Sequence, residues 1–476
     1  MLQRLRVYGP IVWAAIVSAA LLGWFGGHAY DDPFITYRYA QNLAAGLGFV
    51  YNSGERVLST TTPLYALILA AARLFGADIP TFSNALGALS LALGGLALWR
   101  LGLAWRAPLA GLAAMLVYPL FPLLVTTLGS ELPLYLALVL GATLAYAHER
   151  YLAAAALLAL AALIRADGVL AAGVLGAAFL LQRRRPLPWR ALALYLALLL
   201  PWLAFAQLYF GAPFPATLEA KRRQALLPGS ELFLPGLLAQ LRDNYWRYAE
   251  FRPMFTLAAL GLVAALRRRG PWLIPIGWSA LYTAAYAALG VTSYFWYYGP
   301  VIVGLAALVG LGLDALAGLA RRGWGHPAAA WAVALALGLQ LLRVEYQGLL
   351  FLKDHRDTRV AIYQAAGEWL RANTPPDARV GTLEVGIIGY YAQRPMLDFA
   401  GLLQPPVAQQ LSPASSYDAA AVWAFQRYRP RYLVLQDGAL PRLQHEAAPA
   451  GGCHPVHELR DAVYAYPLII FACGSA

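Results

Sequence analysis

Two adjacent aspartates, Asp31 and Asp32, follow the first long apolar segment of the chain. A carboxylate pair at a boundary between water and lipid is suited to act as a general base, to bind a metal ion or to hold a sugar. The structural alternative is a helix start, because Pro33 follows and the helix dipole favours carboxylates in a first turn. That alternative explains one acidic residue better than two, so we expect catalysis or substrate binding here.

Three further charged residues lie at the ends of apolar segments. Glu131 is the only acidic residue in the stretch 107–147. It either begins the next helix or faces the same cavity as the aspartates. Arg165 and Asp167 lie close to the lipid boundary, where they form a structural ion pair or contribute to a site. All three are candidate substrate-binding residues.

A basic triplet, Lys221, Arg222 and Arg223, follows a later apolar segment. Lysine is rare in this chain, since the only other one is Lys353. A compact ammonium group beside forked guanidinium groups suits a phosphate. The alternative is a solvated loop or a contact with lipid headgroups. The triplet therefore predicts a phosphate site with Lys221 and Arg222 as its candidate ligands.

An aromatic run at 294–298 precedes one of the last apolar segments. Such a run indicates either a membrane belt or a surface that stacks on a sugar ring or a polyprenyl chain. Tyr294 and Trp296 are the candidate substrate contacts of this run. His28, three residues before Asp31, is a third.

The composition indicates a polytopic membrane protein. The 476 residues are 60% hydrophobic and only 13% charged, with a mean hydropathy of +0.55, whereas soluble domains have about 25% charged residues. The net charge of +12 does not indicate nucleic-acid binding, because the arginines cluster at the ends of apolar segments rather than along one face.

Eleven apolar segments predict an α-helical membrane domain with eleven spans. The first, 7–26, follows Arg4 and Arg6, which places the N-terminus in the cytoplasm. Segment 63–75 is short and contains Arg73, so we expect a helix that lies at the interface. The other predicted spans are 82–101, 107–128, 131–148, 150–166, 168–183, 190–210, 252–267, 271–291, 297–318 and 327–343.

The arginine clusters support this arrangement. If 63–75 does not span, every later cluster falls on the cytoplasmic side, as the positive-inside rule requires. The clusters contain Arg100 and Arg106, Arg150, Arg183–Arg185 with Arg190, Arg267–Arg269, and Arg321 with Arg322. The external loops are then 27–81, 129–131, 211–250 and 292–296. The candidate site residues therefore lie at the outer face of a bacterial cytoplasmic membrane.

The tail after the last predicted span has a different composition. Predicted strands at 378–385 and 432–435 flank a predicted helix at 417–427, which indicates a small external α/β domain. We therefore predict a membrane domain over 1–343 and a periplasmic α/β domain over 344–476. Cys453 and Cys473 lie in this tail, where they form one disulfide or remain two free thiols.

These motifs together resemble the GT-C superfamily of membrane glycosyltransferases, and most closely the branch that includes the mycobacterial terminal arabinofuranosyltransferases. The first block, residues 31–40, reads DDPFITYRYA. The chain departs from the expected pattern at 58–62 and at Ala166, where a proline is usual. The other similar blocks are 48–57, 129–133, 165–168, 214–221, 369–380 and 386–398.

The resemblance implies an enzyme that transfers a sugar, with inversion, from a polyprenyl phosphate to a hydroxyl of a glycan, lipid or protein. A first-loop aspartate deprotonates the acceptor; we take Asp31, with Asp32 as the alternative because neighbours cannot be ranked from sequence. Lys221, with Arg222 or Arg38, would stabilise the phosphate. Some relatives use a divalent cation, and Asp31, Asp32 and Glu131 offer oxygen ligands suited to Mg²⁺ or Mn²⁺, although no spacing demands one.

Other functions share this architecture. A lipid-linked sugar transporter or flippase should have paired interrupted helices near the bilayer midplane, whereas the charges here cluster at one face and an external domain follows. A protein O-mannosyltransferase-like enzyme would have the same organisation, since the fold does not fix the substrate. A noncatalytic scaffold does not explain the two aspartates.

Overall fold

The structure is a computed structural model that describes residues 2–182, 186–324 and 327–474. The predicted arginine cluster Arg183–Arg185 lies outside the described residues. The first part of the chain is helical. Its helices are α1 Leu2–Phe25, α2 Asp31–Ala44, α3 Pro63–Leu74, α4 Ile79–Ala104, α5 Pro108–Val117, α6 Pro122–Val125, α7 Leu132–Ala147, α8 Tyr151–Ile164, α9 Gly168–Leu181, α10 Trp189–Phe210, α11 Thr217–Gln224, α12 Phe233–Leu241, α13 Arg252–Arg268, α14 Leu273–Leu289, α15 Gly299–Trp324 and α16 Pro327–Asp354.

Helices occupy each of the eleven segments predicted to span. Among the described residues, five segments are long and apolar enough to cross a membrane by length and composition: Ile79–Ala104, Trp189–Phe210, Ala249–Arg268, Phe295–Arg322 and Trp331–Asn373. Helices α7, α8 and α9 have 16, 14 and 14 residues, whereas a perpendicular span takes about 20. The structure therefore has several membrane helices, and the count of eleven and its orientation stay predictions.

The segment 107–128 differs from the single span that we predicted. It is divided into α5, a 3₁₀ turn at Tyr118–Leu120 and the short α6. The physical reason is proline, since Pro119 and Pro122 lack the amide hydrogen that a continuous helix needs. The predicted interfacial helix is α3, which has only 12 residues and packs against α2.

The membrane helices approach one another closely through small residues. A Cβ atom at Gly261 of α13 would overlap the carbonyl oxygen of Leu308 in α15, and one at Gly312 of α15 would overlap that of Leu257 in α13. Backbones that touch in this way maximise van der Waals contact, which is what drives helix association in lipid.

The tail forms the predicted α/β domain. Its sheet has the strand order β2-β1-β3-β5-β4, with β2, β1 and β3 parallel and β5 antiparallel to both β3 and β4. The strands are β1 Val380–Thr382, β2 Met396–Asp398, β3 Tyr432–Gln436, β4 Cys453–Leu459 and β5 Leu468–Cys473. The helices are α17 Arg359–Asn373, α18 Ile387–Ala392, α19 Pro405–Ala408, α20 Tyr417–Tyr428 and α21 Ala448–Ala450. Helix α16 continues past residue 343, where we predicted the domain boundary, to Asp354.

Cys453 and Cys473 form a disulfide between β4 and β5, which decides between the two alternatives that the sequence left open. The bond closes a loop with a sequence separation of 20 residues. Replacing both cysteines by alanine should lower the stability of this domain by roughly 3 kcal/mol, because the unfolded chain is no longer constrained. Denaturant unfolding of the purified protein with and without reductant measures this. An equal response of wild type and variant to reductant would contradict the prediction.

Candidate functional site

Six of the eleven predicted site residues come together around a cavity of about 530 Å³, here called the Asp32 cavity. It lies between α2 and residues 59–61, the N-terminal end of α7, the C-terminal ends of α8 and α14, helix α11 and the aromatic run. Its charged and aromatic lining includes Asp32, Glu131, Arg165, Asp167, Lys221 and Trp296. These residues are far apart in the sequence, so the helix packing is what brings them together.

Lys221 is held next to Asp32. Its Nζ atom lies 3.7 Å from Oδ1 of Asp32 and 3.9 Å from the centre of the Tyr294 ring. The Lys221 side chain is 11% exposed and that of Asp32 is 38% exposed. Although burial opposes the charge, Asp32 and the neighbouring tyrosines raise the pKa of Lys221, so the ammonium group stays protonated. The cavity therefore has one fixed positive charge beside one accessible carboxylate.

Arg165 is the centre of a polar network on another wall of the cavity. Its guanidinium group donates to Glu131 at 2.8 Å, to Asp167 at 2.8 Å and to the Tyr286 hydroxyl at 2.9 Å. Tyr286 in turn donates to Asp167 at 2.6 Å. Two carboxylates are thus held in place by one planar cation, with oxygen lone pairs left to accept hydrogen bonds from a polyhydroxylated ligand.

Replacing Tyr286 by phenylalanine should lower stability by about 1–2 kcal/mol, because a buried carboxylate loses one hydrogen bond while the ring volume is kept. Tyr282 is the matched control: its ring stacks on Tyr286 at 4.3 Å, and its hydroxyl has no hydrogen-bond partner among the described residues. Thermal unfolding in detergent should therefore show a lower midpoint for Tyr286→Phe than for Tyr282→Phe. Equal midpoints would contradict this account of the network.

Asp31 does not face the Asp32 cavity. Its carboxylate accepts backbone amides of the α/β domain, from Gly386 at 2.9 Å and from Ile387 at 2.7 Å. Burial, followed by the nearby Glu384 carboxylate, raises the pKa of Asp31 to about 8, and the two amides act in the opposite direction. Both aspartates are in the first turn of α2, but neither caps it. The helix start considered as the alternative is therefore present, but without a side-chain cap hydrogen bond.

Several other candidates lie outside this cavity. Arg222 is exposed, and Arg38 is buried and donates to Gln41 at 2.8 Å. Tyr294 lies beneath Lys221 and donates to Gln224. His28 bonds the carbonyl oxygen of Thr126 at 2.9 Å and lines a second cavity. Of the three predicted phosphate ligands, only Lys221 lines the Asp32 cavity.

Sequence reasoning missed the uncharged part of the lining. Ser59, Thr60 and Thr61 line the cavity, and the run of hydroxyl residues at 59–62 was the available signal. Tyr286 and Tyr297 also line it; the first is within an apolar helix, where a tyrosine gives no sequence signal. The mouth is apolar and solvent-accessible, with Phe214 66%, Leu218 45% and Leu289 38% exposed.

A second cavity of about 670 Å³, here called the His28 cavity, lies on the other side of an aromatic wall. The wall is Tyr30, which packs against Phe295 at 5.1 Å and stacks on Trp296 at 5.2 Å. Phe295 lines the His28 cavity and Trp296 lines the Asp32 cavity. The polar lining of the His28 cavity includes Gln240, Asn244, Gln347, His355, Arg356 and Asp357.

The three carboxylates considered for a divalent cation do not form a ligand set. Asp31 is bonded to Gly386 and Ile387, and Glu131 is bonded to Arg165. Among the described residues, no three histidine, cysteine or acidic side chains lie close enough together to hold a metal ion. The residues present therefore do not fit this cofactor.

The fold is that of known membrane glycosyltransferases. ArnT from Cupriavidus metallidurans, solved alone and bound to undecaprenyl phosphate, superimposes with a TM-score of 0.61 over 98% of each chain at 15% identity. The oligosaccharyltransferase AglB from Archaeoglobus fulgidus, solved with an inhibitory peptide and a dolichol-phosphate, has a TM-score of 0.63 at 13% identity, over 90% of this chain and 69% of that one. These proteins are GT-C glycosyltransferases, so the chain has the GT-C fold.

Sequence comparisons add one match. Residues 351–469 match a family described as a domain of unknown function, DUF8728, and this region covers the end of α16 and the α/β domain as far as the start of β5. No curated protein matches the chain by sequence.

Proposed function

We propose that the chain is an inverting glycosyltransferase that moves a sugar from a polyprenyl phosphate to a hydroxyl acceptor at the outer face of the bacterial cytoplasmic membrane. The observation that carries this proposal is the pairing of Lys221 with the accessible carboxylate of Asp32 in one cavity. A buried cation suits the leaving phosphate, and an accessible carboxylate suits the attacking hydroxyl.

The donor enters through the apolar mouth of the Asp32 cavity. A polyprenyl chain needs an apolar path that is continuous with the membrane, and Phe214, Leu218 and Leu289 provide one. Its phosphate then binds Lys221, which is one turn from Leu218 on α11. The lipid phosphates bound by ArnT and AglB support this class of donor. Arg165, with Glu131 and Asp167, holds the sugar hydroxyls.

Asp32 is the general base in this proposal. It removes the proton from the acceptor hydroxyl, whose oxygen attacks the anomeric carbon as the bond to the phosphate breaks. Phosphate is a good leaving group, so no general acid is needed. Inversion places the base and the leaving group on opposite faces of the sugar. The bound donor must therefore separate Asp32 from Lys221, which are 3.7 Å apart in the structure.

The acceptor uses the His28 cavity. This cavity is separated from the Asp32 cavity by the single aromatic layer of Tyr30, Phe295 and Trp296, which must move aside for the acceptor hydroxyl to reach Asp32. Its lining mixes amide and charged side chains with aromatic rings, a combination suited to a carbohydrate. One wall is α16, with Val344 and Phe351 in the lining, so a lipid-linked glycan has access from the membrane.

The experiment that tests the function supplies purified protein with a panel of polyprenyl-phosphate pentoses and hexoses and measures the released polyprenyl phosphate. We expect release from at least one donor, with faster release when a lipid-linked glycan is added. Absence of release from every donor, in protein that binds polyprenyl phosphate, would contradict the proposal. Movement of intact donor across vesicles without cleavage would indicate a flippase instead.

A further inference from the structure

Asp31 and Asp32 are neighbours in the sequence, but they face different partners. The Asp31 carboxylate accepts the amides of Gly386 and Ile387, one on each oxygen, while Asp32 lies beside Lys221 in the cavity. Successive side chains of a helix point about 100° apart. Because the contact at Asp31 fixes the first turn of α2, it also fixes the direction in which the Asp32 side chain points.

Gly386 is required for this contact. A Cβ atom at this position would overlap the carbonyl oxygen of Asp31 and would lie 2.6 Å from its Oδ2 atom. The backbone φ of Gly386 is −66°, an angle that any residue adopts. The reason for glycine here is therefore the close approach of the external domain to Asp31 and not an unusual backbone conformation.

Other contacts join the same two parts of the molecule. The Tyr51 hydroxyl donates to the carbonyl of Val385 at 2.5 Å, and Asn52 exchanges two hydrogen bonds of 2.8 Å with the backbone of Met396. The loop after β2 also reaches the site, because Leu402 lines the Asp32 cavity. The external domain is thus bonded to the first loop and completes one wall of the cavity.

We infer that Asp31 is a positioning residue: it binds the external domain through Gly386 and Ile387 and so orients the first turn of α2 with Asp32 toward the cavity. The inference rests on the proposed function for the role of Asp32, but the contact itself is independent of activity. Asp31 thereby makes the external domain part of the catalytic unit. Misplacing a reacting group by about 1 Å is enough to cost about 100-fold in rate.

Hydrogen exchange measured on the full-length protein tests the contact. Asp31→Ala should raise exchange at the amides of Gly386 and Ile387 at least tenfold, while Asp32→Ala leaves them protected. Continued protection of β1 and β3 in the same sample shows that the domain is still folded. Unchanged protection of the two amides in Asp31→Ala would overturn the inference, whether or not the protein transfers sugar.

Kinetics test the consequence. Gly386→Ala should lower kcat about 10- to 100-fold while the Kd for polyprenyl phosphate stays unchanged, because the alanine acts at the contact with Asp31. Helix α11, which carries Lys221, is bonded to the domain separately, through Gln224 and the carbonyl of Ala400 at 3.0 Å. Gly474→Ala is the matched control, since its Cβ atom would meet only one atom, at 3.9 Å. A wild-type kcat for Gly386→Ala would contradict the positioning role. If the wild-type protein transfers no sugar, the proposed function is wrong. The hydrogen-exchange experiment then still tests the contact between Asp31 and the domain.

Discussion

Asp32→Asn is expected to lower the rate of sugar transfer by about 10²- to 10⁴-fold, the range that general bases contribute. Asparagine has nearly the same shape as aspartate but does not take the proton of the acceptor hydroxyl. The same change should leave the affinity for polyprenyl phosphate unchanged or make it higher, because the carboxylate that is 3.7 Å from Lys221 no longer competes with the phosphate. Single-turnover kinetics and equilibrium binding measure the two effects.

The loss of transfer without a loss of binding makes the prediction specific. If Asp32 only supported the shape of the cavity, replacing it would reduce both the rate of sugar transfer and the affinity for polyprenyl phosphate. A rate within threefold of wild type for Asp32→Asn would exclude Asp32 as the base. If Asp31→Asn then abolished transfer with the amides of Gly386 and Ile387 still protected, Asp31 would be the base.

Lys221→Ala is expected to weaken binding of polyprenyl phosphate about 10- to 100-fold. A hydrogen bond to a charged group contributes about 1.5–3 kcal/mol, and Lys221 is the buried cation beside Asp32 in this cavity. Tyr294→Leu should have a smaller effect of the same sign, since it removes the ring on which the ammonium group lies at 3.9 Å. Binding of a fluorescent polyprenyl phosphate in detergent measures both.

Arg222→Ala is the matched control for Lys221→Ala. The two residues are adjacent on α11, but Arg222 is exposed and outside the lining of the Asp32 cavity. Its removal should change the affinity by less than threefold at moderate salt. Equal losses for the two variants would mean that the whole basic triplet attracts the headgroup, as the lipid-contact alternative states.

The sequence predicted the helical elements well and their breaks less well. Apolar length places helices reliably, because a lipid-facing segment must satisfy its backbone internally. The interruption of 107–128 depended on Pro119 and Pro122, whose effect inside an apolar run is decided by neighbouring helices. Of the five strands of the α/β domain, only β1 and β3 were predicted. β3 was recognisable as a short, largely buried apolar run that begins with a tyrosine.

The candidate site was predictable as a set of residues but not as an arrangement. Charged side chains near the lipid boundary are few, so Asp32, Lys221 and Arg165 were conspicuous. Adjacent aspartates have the same sequence signal, and only the position of Gly386 distinguishes their roles. That position is set by a contact across 355 residues of chain, which no local pattern encodes. The guanidinium groups of Arg222 and Arg38 are suited to a phosphate, but neither residue lines the Asp32 cavity.

A structure determined with a polyprenyl-phosphate sugar bound tests the central claim most directly. The account predicts the phosphate within hydrogen-bond distance of Lys221, the lipid chain in the mouth at Phe214 and Leu218, and the anomeric carbon between Lys221 and Asp32. A phosphate bound instead in the His28 cavity beside Arg356, with Lys221 still paired to Asp32, would contradict it.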